Sequence, residues 1–486
     1  ARSFGNHSVT GLLLYQQSQK NYIGSSATSS NAALPYRHQG VAFRATYNYD
    51  SRYFAEFNAG YNGSENFSPG HRFGFFPSVA GGWLVSNEKF WTGRLADVIS
   101  LLKIKGSYGI VGNDQIGGNR RFIYLETINS GEKWSFGETV TSYPSYRRGE
   151  WANDNVGWEK SRKLDVGVDV SFFDKLRVQV DWFKEKRSGI FLQRSSIPEY
   201  IGITTKPYVN IGRMRNSGWD SSLQYDQKIG QVNFSAMGNF TFARNVIEDQ
   251  DQPDYIEKYM NRTGQARWQT FGYVSDGLFK DEADIATSPD QSALGEVRPG
   301  DIKYKDLNND GVIDSKDVKA IGYTDVPEIV YGFGVSAQWK GFDVSVFFQG
   351  NAHVSFSINS SMVRGFTEPK MAANNVFSDI YGNYWTESNT DAKYPRLTTT
   401  EATNNNQSSD FWLVNGRYIR LKNAEFGYTF PKRLIQKMRL SQLRVFVSGT
   451  NLLTFAPFKL WDPDLQTGAS NYPNTRVANI GLNIGF

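Results

Sequence analysis

Long stretches of the chain alternate strictly between apolar and polar positions. Val41, Phe43, Ala45, Tyr47 and Tyr49 interleave with Ala42, Arg44, Thr46, Asn48 and Asp50. After Ser51 and Arg52 the pattern restarts, with Tyr53, Ala55, Phe57, Ala59 and Tyr61 opposed by Glu56, Asn58 and Asn62. A period of two puts successive side chains on opposite faces of a strand, and two such runs around a tight polar turn predict a β-hairpin. Leu164, Val166, Val168, Val170 and Phe172 repeat the construction, turning at Phe173-Asp174-Lys175 into Leu176, Val178, Val180 and Trp182. So do Ile329 to Trp339, which turn at Lys340-Gly341 into Phe342, Val344, Val346 and Phe348.

A soluble sandwich also alternates, so three further features decide the class. Most runs match the roughly 9–11 residues a tilted strand needs to cross a bilayer and exceed the ~5–6 of ordinary sheets. The pattern predicts about fourteen strands, near 7–20, 39–49, 53–63, 73–84, 102–112, 158–172, 176–187, 209–225, 232–244, 327–339, 342–354, 415–430, 443–453 and 475–486. Every second connection is modest, whereas the very long ones, 113–157, 245–326 and 355–414, all fall among the others. Long loops on one rim and short turns on the other characterise outer-membrane barrels. Lastly, the chain ends on an amphipathic run closing at Phe486, a terminal aromatic resembling the signal read by the barrel-insertion machinery.

The expected fold is therefore all-β: a transmembrane antiparallel β-barrel, with residues 1–486 forming one domain. About fourteen strands could close alone, but transporters of this membrane use roughly 22-stranded barrels with a plugged lumen. An upstream section is therefore expected, since open strand edges are not tolerated in lipid.

Composition sharpens this picture. Aromatics make up 15% of the 486 residues, mostly 26 Tyr and 34 Phe, types that form strands and interfacial girdles. No run of 18 apolar residues exists, which excludes helical spans but not a barrel. The 53 basic and 48 acidic residues are well mixed, and a net charge of +5 makes nucleic acid a poor partner. There is no Cys, so thiolate zinc sites and disulfide scaffolds are excluded.

Several stretches resemble the SusC/RagA family of TonB-linked outer-membrane transporters. They include RPGDIKYKDLNNDGVIDSKDVKAIGYTDVPEIVYGFGVSAQWKGFDVSVFFQG (298–350), YDSRYFAEFNAGYNGSENF (49–67), FFPSVAGGWLVSNEKFW (75–91) and LLKIKGSYGIVGND (101–114). VGWEKSRKLDVGVDVSFF (156–173), VNIGRMRNSGWDSSLQY (209–225), RLKNAEFGYTFP (420–431) and the span from RVFVSGTNLLTF to WDPDL (444–465) follow in the family's order. The resemblance implies import of oligosaccharides or oligopeptides across the outer membrane. It also implies an N-terminal plug and TonB box driven by TonB–ExbB–ExbD, and a SusD-like lipoprotein lid over the outer mouth. Neither plug nor TonB box is among these residues. A self-contained passive porin and a structural or adhesive envelope component are the rival readings.

One loop carries definable metal chemistry. Asp306, Asn308 and Asp310 occupy positions 1, 3 and 5 of a twelve-residue loop, with Gly311 at 6, Val312 offering a carbonyl at 7, Asp314 at 9 and Asp317 at 12. Calcium takes six to eight oxygens, and Gly at position 6 permits the sharp turn. Asp in place of Glu at position 12 resembles the dockerin variant, and a structural Ca2+ is the expectation. The bland alternative is an Asx-rich polar turn. Trp134, Tyr143, Tyr146 and Trp151 in one outer loop, and Tyr381, Tyr384 and Trp385 in another, are candidate stacking residues for a sugar or peptide, the favoured alternative being that they pack the loops or meet the lid. Trp83, Trp158, Trp182 and Trp339 read as girdle or wall residues. Four scattered His (His7, His38, His71, His353), no G-x-S-x-G and no P-loop leave no basis for an enzyme.

Overall fold

The computed structural model describes the chain except residues 22–33, 117–119, 139, 204, 367–375 and 469–470, so parts of the expected loops 113–157 and 355–414 lie outside the described residues. The alternating runs become strands β1 (Arg2–Phe4), β2 (His7–Lys20), β3 (Tyr36–Tyr49), β4 (Tyr53–Ser64), β5 (Phe73–Leu84), β6 (Ile99–Asn113), β7 (Glu159–Phe172) and β8 (Leu176–Gln193). They continue as β9 (Tyr208–Ile229), β10 (Val232–Asp249), β11 (Ile329–Trp339), β12 (Phe342–Ala352), β13 (Tyr418–Thr429), β14 (Gln442–Phe455) and β15 (Val477–Gly485). Hydrogen-bonded neighbours follow chain order through one 15-stranded sheet. Fourteen of these are the expected strands; β1, three residues paired with Ser8 and its neighbours, is the addition. No helix is long and apolar enough to cross a membrane among the described residues.

Two compact units divide the chain: Ala1–Trp219 with Asn245–Asp254, and Asp220–Arg244 with Tyr255–Phe486. In the first, register pairs Val41 with Tyr61 and Phe43 with Ala59, so apolar side chains of adjacent strands share a face. In the second, Phe333 meets Phe348 and Val335 meets Val346 in the same way. These faces are bare: Leu13, Phe75 and Val79 in the first unit and Val335 and Val344 in the second are all exposed. Apolar area left open to water would cost about 25 cal/mol per Å², so the band is explained by lipid taking water's place.

The opposite face is polar and neutralised internally. Lys105 Nζ lies 3.0 Å from Asp169 and 2.9 Å from Asp181. In the second unit Arg444 Nε donates to Asp343 at 3.0 Å and Arg444 Nη2 to Glu425 at 2.5 Å.

The short turns explain why the hairpins close where they do. Both central residues are left-handed at Asp50-Ser51 (φ 51° and 52°), Phe173-Asp174 (55° and 56°) and Lys340-Gly341 (45° and 91°). Turns of that hand match the twist of the strands they join. Beside the first of them, Glu88 accepts from Tyr53 Oη at 2.5 Å, Trp83 Nε1 at 3.0 Å and Arg52 Nη1 at 2.7 Å. The polar tips of two outward aromatics thus meet a charged clasp, which marks a membrane–water boundary. Trp182 and Trp339 are exposed likewise. Trp158 differs: it packs on Phe67 and Phe76 at 5.5 and 5.1 Å and donates to the Arg72 carbonyl. Phe486 follows the last strand and is 93% exposed.

The buried apolar core belongs to the loops. Tyr273, Ile302, Tyr304, Ile313, Phe356, Ile380, Tyr394 and Trp412 form one cluster, built from segments within 245–326 and 355–414. A smaller one gathers Phe67, Ile116, Ile123 and Val156.

Candidate functional site

The twelve-residue loop forms a tight polar turn beside the larger core. Asn309 and Gly311 are left-handed, with φ of 61° and 85°. Asp306 accepts the N–H groups of Asn309 at 2.6 Å and Gly311 at 2.8 Å, and Asn308 Oδ1 accepts that of Asp310 at 3.1 Å. Ile313 is fully buried, and its N–H donates to the carbonyl of Asp290, which ties the loop to the preceding segment. Asp317 is also fully buried; its two oxygens accept from Leu307 N–H at 2.7 Å and Asp314 N–H at 2.9 Å.

Lys316 was not anticipated from the motif. Its ammonium lies 2.9 Å from Asp310 and 3.3 Å from Asp314. Hydrogen bonds from Lys316, then Asn308 and the Val312 N–H, hold the Asp310 carboxyl below the usual carboxylate range. Hydrogen bonds to Asp310, then Asp314, push the Lys316 ammonium up. The donor types suit calcium, but Asp310 and Asp314 face the ammonium and Asp317 faces backbone amides. Among the described residues no three acidic or His side chains are grouped to hold a metal. A calcium ion in this loop would have to displace Lys316.

The two aromatic groups occupy different settings. Trp134 pairs with Tyr143 across a small ribbon of Trp134–Phe136 with Thr141–Tyr143. Phe136 lies on the same face, its ring 6.0 Å from that of Tyr143, and Trp134 and Phe136 are each 62% exposed. Phe136 escaped notice in the sequence although its spacing of two from Trp134 carries the signal. Tyr146 is exposed on a second ribbon, Ile128–Ser130 with Tyr146–Arg148. Trp151 is covered by the Arg148 guanidinium, 4.2 Å from its ring. In the other unit Tyr381 is 78% exposed, whereas Tyr384 and Trp385 pack against the loop core. Trp385 N–H donates to the Tyr394 carbonyl at 2.9 Å, which makes it part of the scaffold.

That scaffold is held by a buried polar network that sequence reasoning missed. Asp301 accepts from Arg396 Nε at 2.8 Å, Asn405 Nδ2 at 2.8 Å and Arg298 N–H at 2.9 Å. Gln291 bonds Asn404 and the backbone of Ile302 and Tyr304, and Trp412 Nε1 donates to the Asn405 carbonyl. Burial pushes the Tyr304 phenol well up.

No family model matches the chain. Among curated proteins it is 29% identical to TonB-dependent receptor P3 of Formosa agariphila over an alignment of 476 residues, covering 91% of this chain and 45% of that protein. It is 26% identical to TonB-dependent receptor SusC of Bacteroides thetaiotaomicron over 457, covering 91% and 43%. Over most of its length the chain is similar to TonB-dependent receptors of the SusC kind. Among solved structures, that of the RagAB peptide transporter superposes with a TM-score of 0.73 at 21% identity, covering 99% of this chain and 54% of that one. The likeness confirms the barrel fold, and the SusC-like chain is accordingly an outer-membrane β-barrel protein. It spans less than half the length of the curated relatives it matches. Those relatives are receptors, not enzymes.

Proposed function

We propose that this chain supplies the barrel wall and outer loops of a TonB-dependent importer for oligosaccharides or oligopeptides. Kinship with receptors of that kind along 91% of the chain carries the reading. The internally neutralised polar face, with Lys105, Asp169 and Asp181 in one unit and Arg444, Asp343 and Glu425 in the other, supports it as a wall suited to water and a polar cargo. In the complete transporter an N-terminal plug would block the lumen, its TonB box would take energy from TonB–ExbB–ExbD, and a SusD-like lipoprotein would close the mouth. The exposed face of Trp134, Phe136 and Tyr143 suits contact with cargo or lid, as does Tyr381. Uptake of labelled oligopeptides and oligosaccharides by cells carrying or lacking TonB tests this. Uptake that survives loss of TonB would refute active import in favour of a passive channel, and loop-dependent binding without uptake would favour an adhesive role.

In this reading a Ca2+ ion serves the loop 306–317 structurally, held by Asp306, Asn308, Asp310, the Val312 carbonyl, Asp314 and Asp317 once Lys316 leaves. Terbium luminescence sensitised by Tyr259, whose hydroxyl donates to the Lys316 carbonyl at 2.8 Å, reports occupancy. Lys316→Met should tighten binding; no signal in either protein would reject the ion.

A further inference from the structure

The membrane-facing side of β7 and β8 changes character abruptly toward the rim that bears the long loops. Leu164, Val166 and Val168 on β7 share a face with Trp182 and Val180 on β8 and with Tyr108 on β6. The next positions on that face are Arg162 and Lys160 on one strand and Lys184 and Lys186 on the other. Steps on one face are roughly 7 Å apart, so four cations begin directly above the apolar band.

Their pairing is unfavourable as it stands. Arg162 is directly opposite Lys186, and Lys184 is opposite Leu164. Like charges at opposed positions of an antiparallel pair start about 5 Å apart and repel. Lys160, Arg162 and Lys186 are exposed and Lys184 is half-buried. None of the four is in an ion pair among the described residues, whereas Arg187 on the other face of β8 has Glu159 at 3.1 Å and Glu185 at 3.0 Å. Other arginines at this rim have carboxylates too: Arg213 meets Asp249 at 2.9 Å and Arg37 meets Glu65 at 3.7 Å. The cluster stands out as positive charge with no internal anion, adjoining a surface that lies in lipid.

We propose that Lys160, Arg162, Lys184 and Lys186 bind the phosphate-bearing headgroup of an outer-leaflet glycolipid, whose acyl chains lie along the band beside Tyr108, Leu164 and Trp182. The long-loop rim is the extracellular one in such barrels, which puts the cations at the level of outer-leaflet headgroups. A multivalent anion there removes the Arg162–Lys186 repulsion, and the adjoining apolar strip explains why the ligand is an amphiphile.

The test is a titration of the detergent-purified complete receptor with bisphosphorylated lipid A, read by native mass spectrometry. Arg162→Gln/Lys186→Gln is compared with wild type and with the charge-keeping pair Arg162→Lys/Lys186→Arg. Each basic side chain facing an anionic headgroup contributes roughly five-fold in affinity, so the neutral pair should bind about 25-fold more weakly and the charge-keeping pair like wild type. On wild type alone, dephosphorylated lipid A should bind much more weakly, and hydrogen exchange in 159–164 and 182–188 should slow only with the phosphorylated form. That arm stands even if the neutral pair fails to fold. Equal binding of both lipid forms, equal affinity of the neutral pair, or full displacement by equimolar inorganic phosphate would overturn the proposal; the last would make it a free-anion site.

Discussion

Asp301 offers the sharpest perturbation of the loop domain. It is fully buried, and its carboxylate joins the segment that precedes β11 to the segment that precedes β13 through Arg396 and Asn405. Asp301→Ala removes the acceptor for Arg396 Nε (2.8 Å) and Nη2 (3.2 Å), Asn405 Nδ2 (2.8 Å) and Arg298 N–H (2.9 Å). Breaking a buried ion pair costs ~3–5 kcal/mol. The Arg396 side chain is 20% exposed and can turn partly toward water, which places the loss near the low end. About 3 kcal/mol corresponds to roughly a 150-fold larger opening equilibrium. Hydrogen exchange of the intact protein should therefore accelerate by about the same 150-fold in both 279–305 and 394–412, with strands β11 to β14 unchanged. Acceleration confined to the first segment would refute the idea that the two loops share one cooperative core. Unchanged protection in both would refute the energetic weight given to Asp301.

Three other outcomes follow from local geometry. Phe173 and Asp174 carry left-handed φ that Asn-Gly adopts with less strain, so replacing the pair should raise the heat-induced unfolding midpoint on gels by an amount worth ~1 kcal/mol. Gly350→Ala should lower that midpoint, because a Cβ there would sit 2.5 Å from the Tyr418 carbonyl oxygen and 2.5 Å from the Tyr331 ring; the expected cost is ~1–3 kcal/mol. Acid should loosen the loop 306–317: the Asp310 carboxyl is depressed in the folded state, so its contribution is complete above the ordinary Asp range and lost as pH falls through the lower folded value. Exchange in 306–317 should be flat from pH 5 to 8, after correction for intrinsic rates, and rise only below about pH 4.

The sequence made the wall legible because the wall is a local code. Leu164, Val166, Val168 and Val170 alternate with Lys163, Asp165, Gly167 and Asp169 in plain view, and the turn at Phe173-Asp174 follows from where alternation breaks. Strand ends agree to within about three residues, except where β8, β9 and β10 run on to Gln193, Ile229 and Asp249. The loop core had no such code. Asp301 is separated from Arg396 and Asn405 by about a hundred residues, and nothing in that spacing announces that they meet its buried charge. Tyr384 and Trp385 pack against that core, as one of the two readings of the loop aromatics has it, but a loop aromatic has no period by which sequence could decide between burial and exposure. The spacing of Asp306, Asn308, Asp310, Asp314 and Asp317 suits a calcium loop as well as a polar turn, but the pattern leaves position 11 open, and it is there that Lys316 sits between Asp310 and Asp314.

The same asymmetry accounts for the cations of β7 and β8. Their period of two was visible, yet in sequence Lys160, Arg162, Lys184 and Lys186 are interleaved with Glu159, Lys163, Glu185 and Arg187 and look neutralised. Register shows otherwise: Glu159 and Glu185 serve Arg187 on the polar face, and the four outward cations share none of that compensation. A strand separates charges that adjoin in sequence onto two surfaces, one facing the lumen and one facing lipid. Charge balance in a barrel therefore has to be judged face by face, and on the outward face of these two strands the balance closes only with an anion drawn from the membrane.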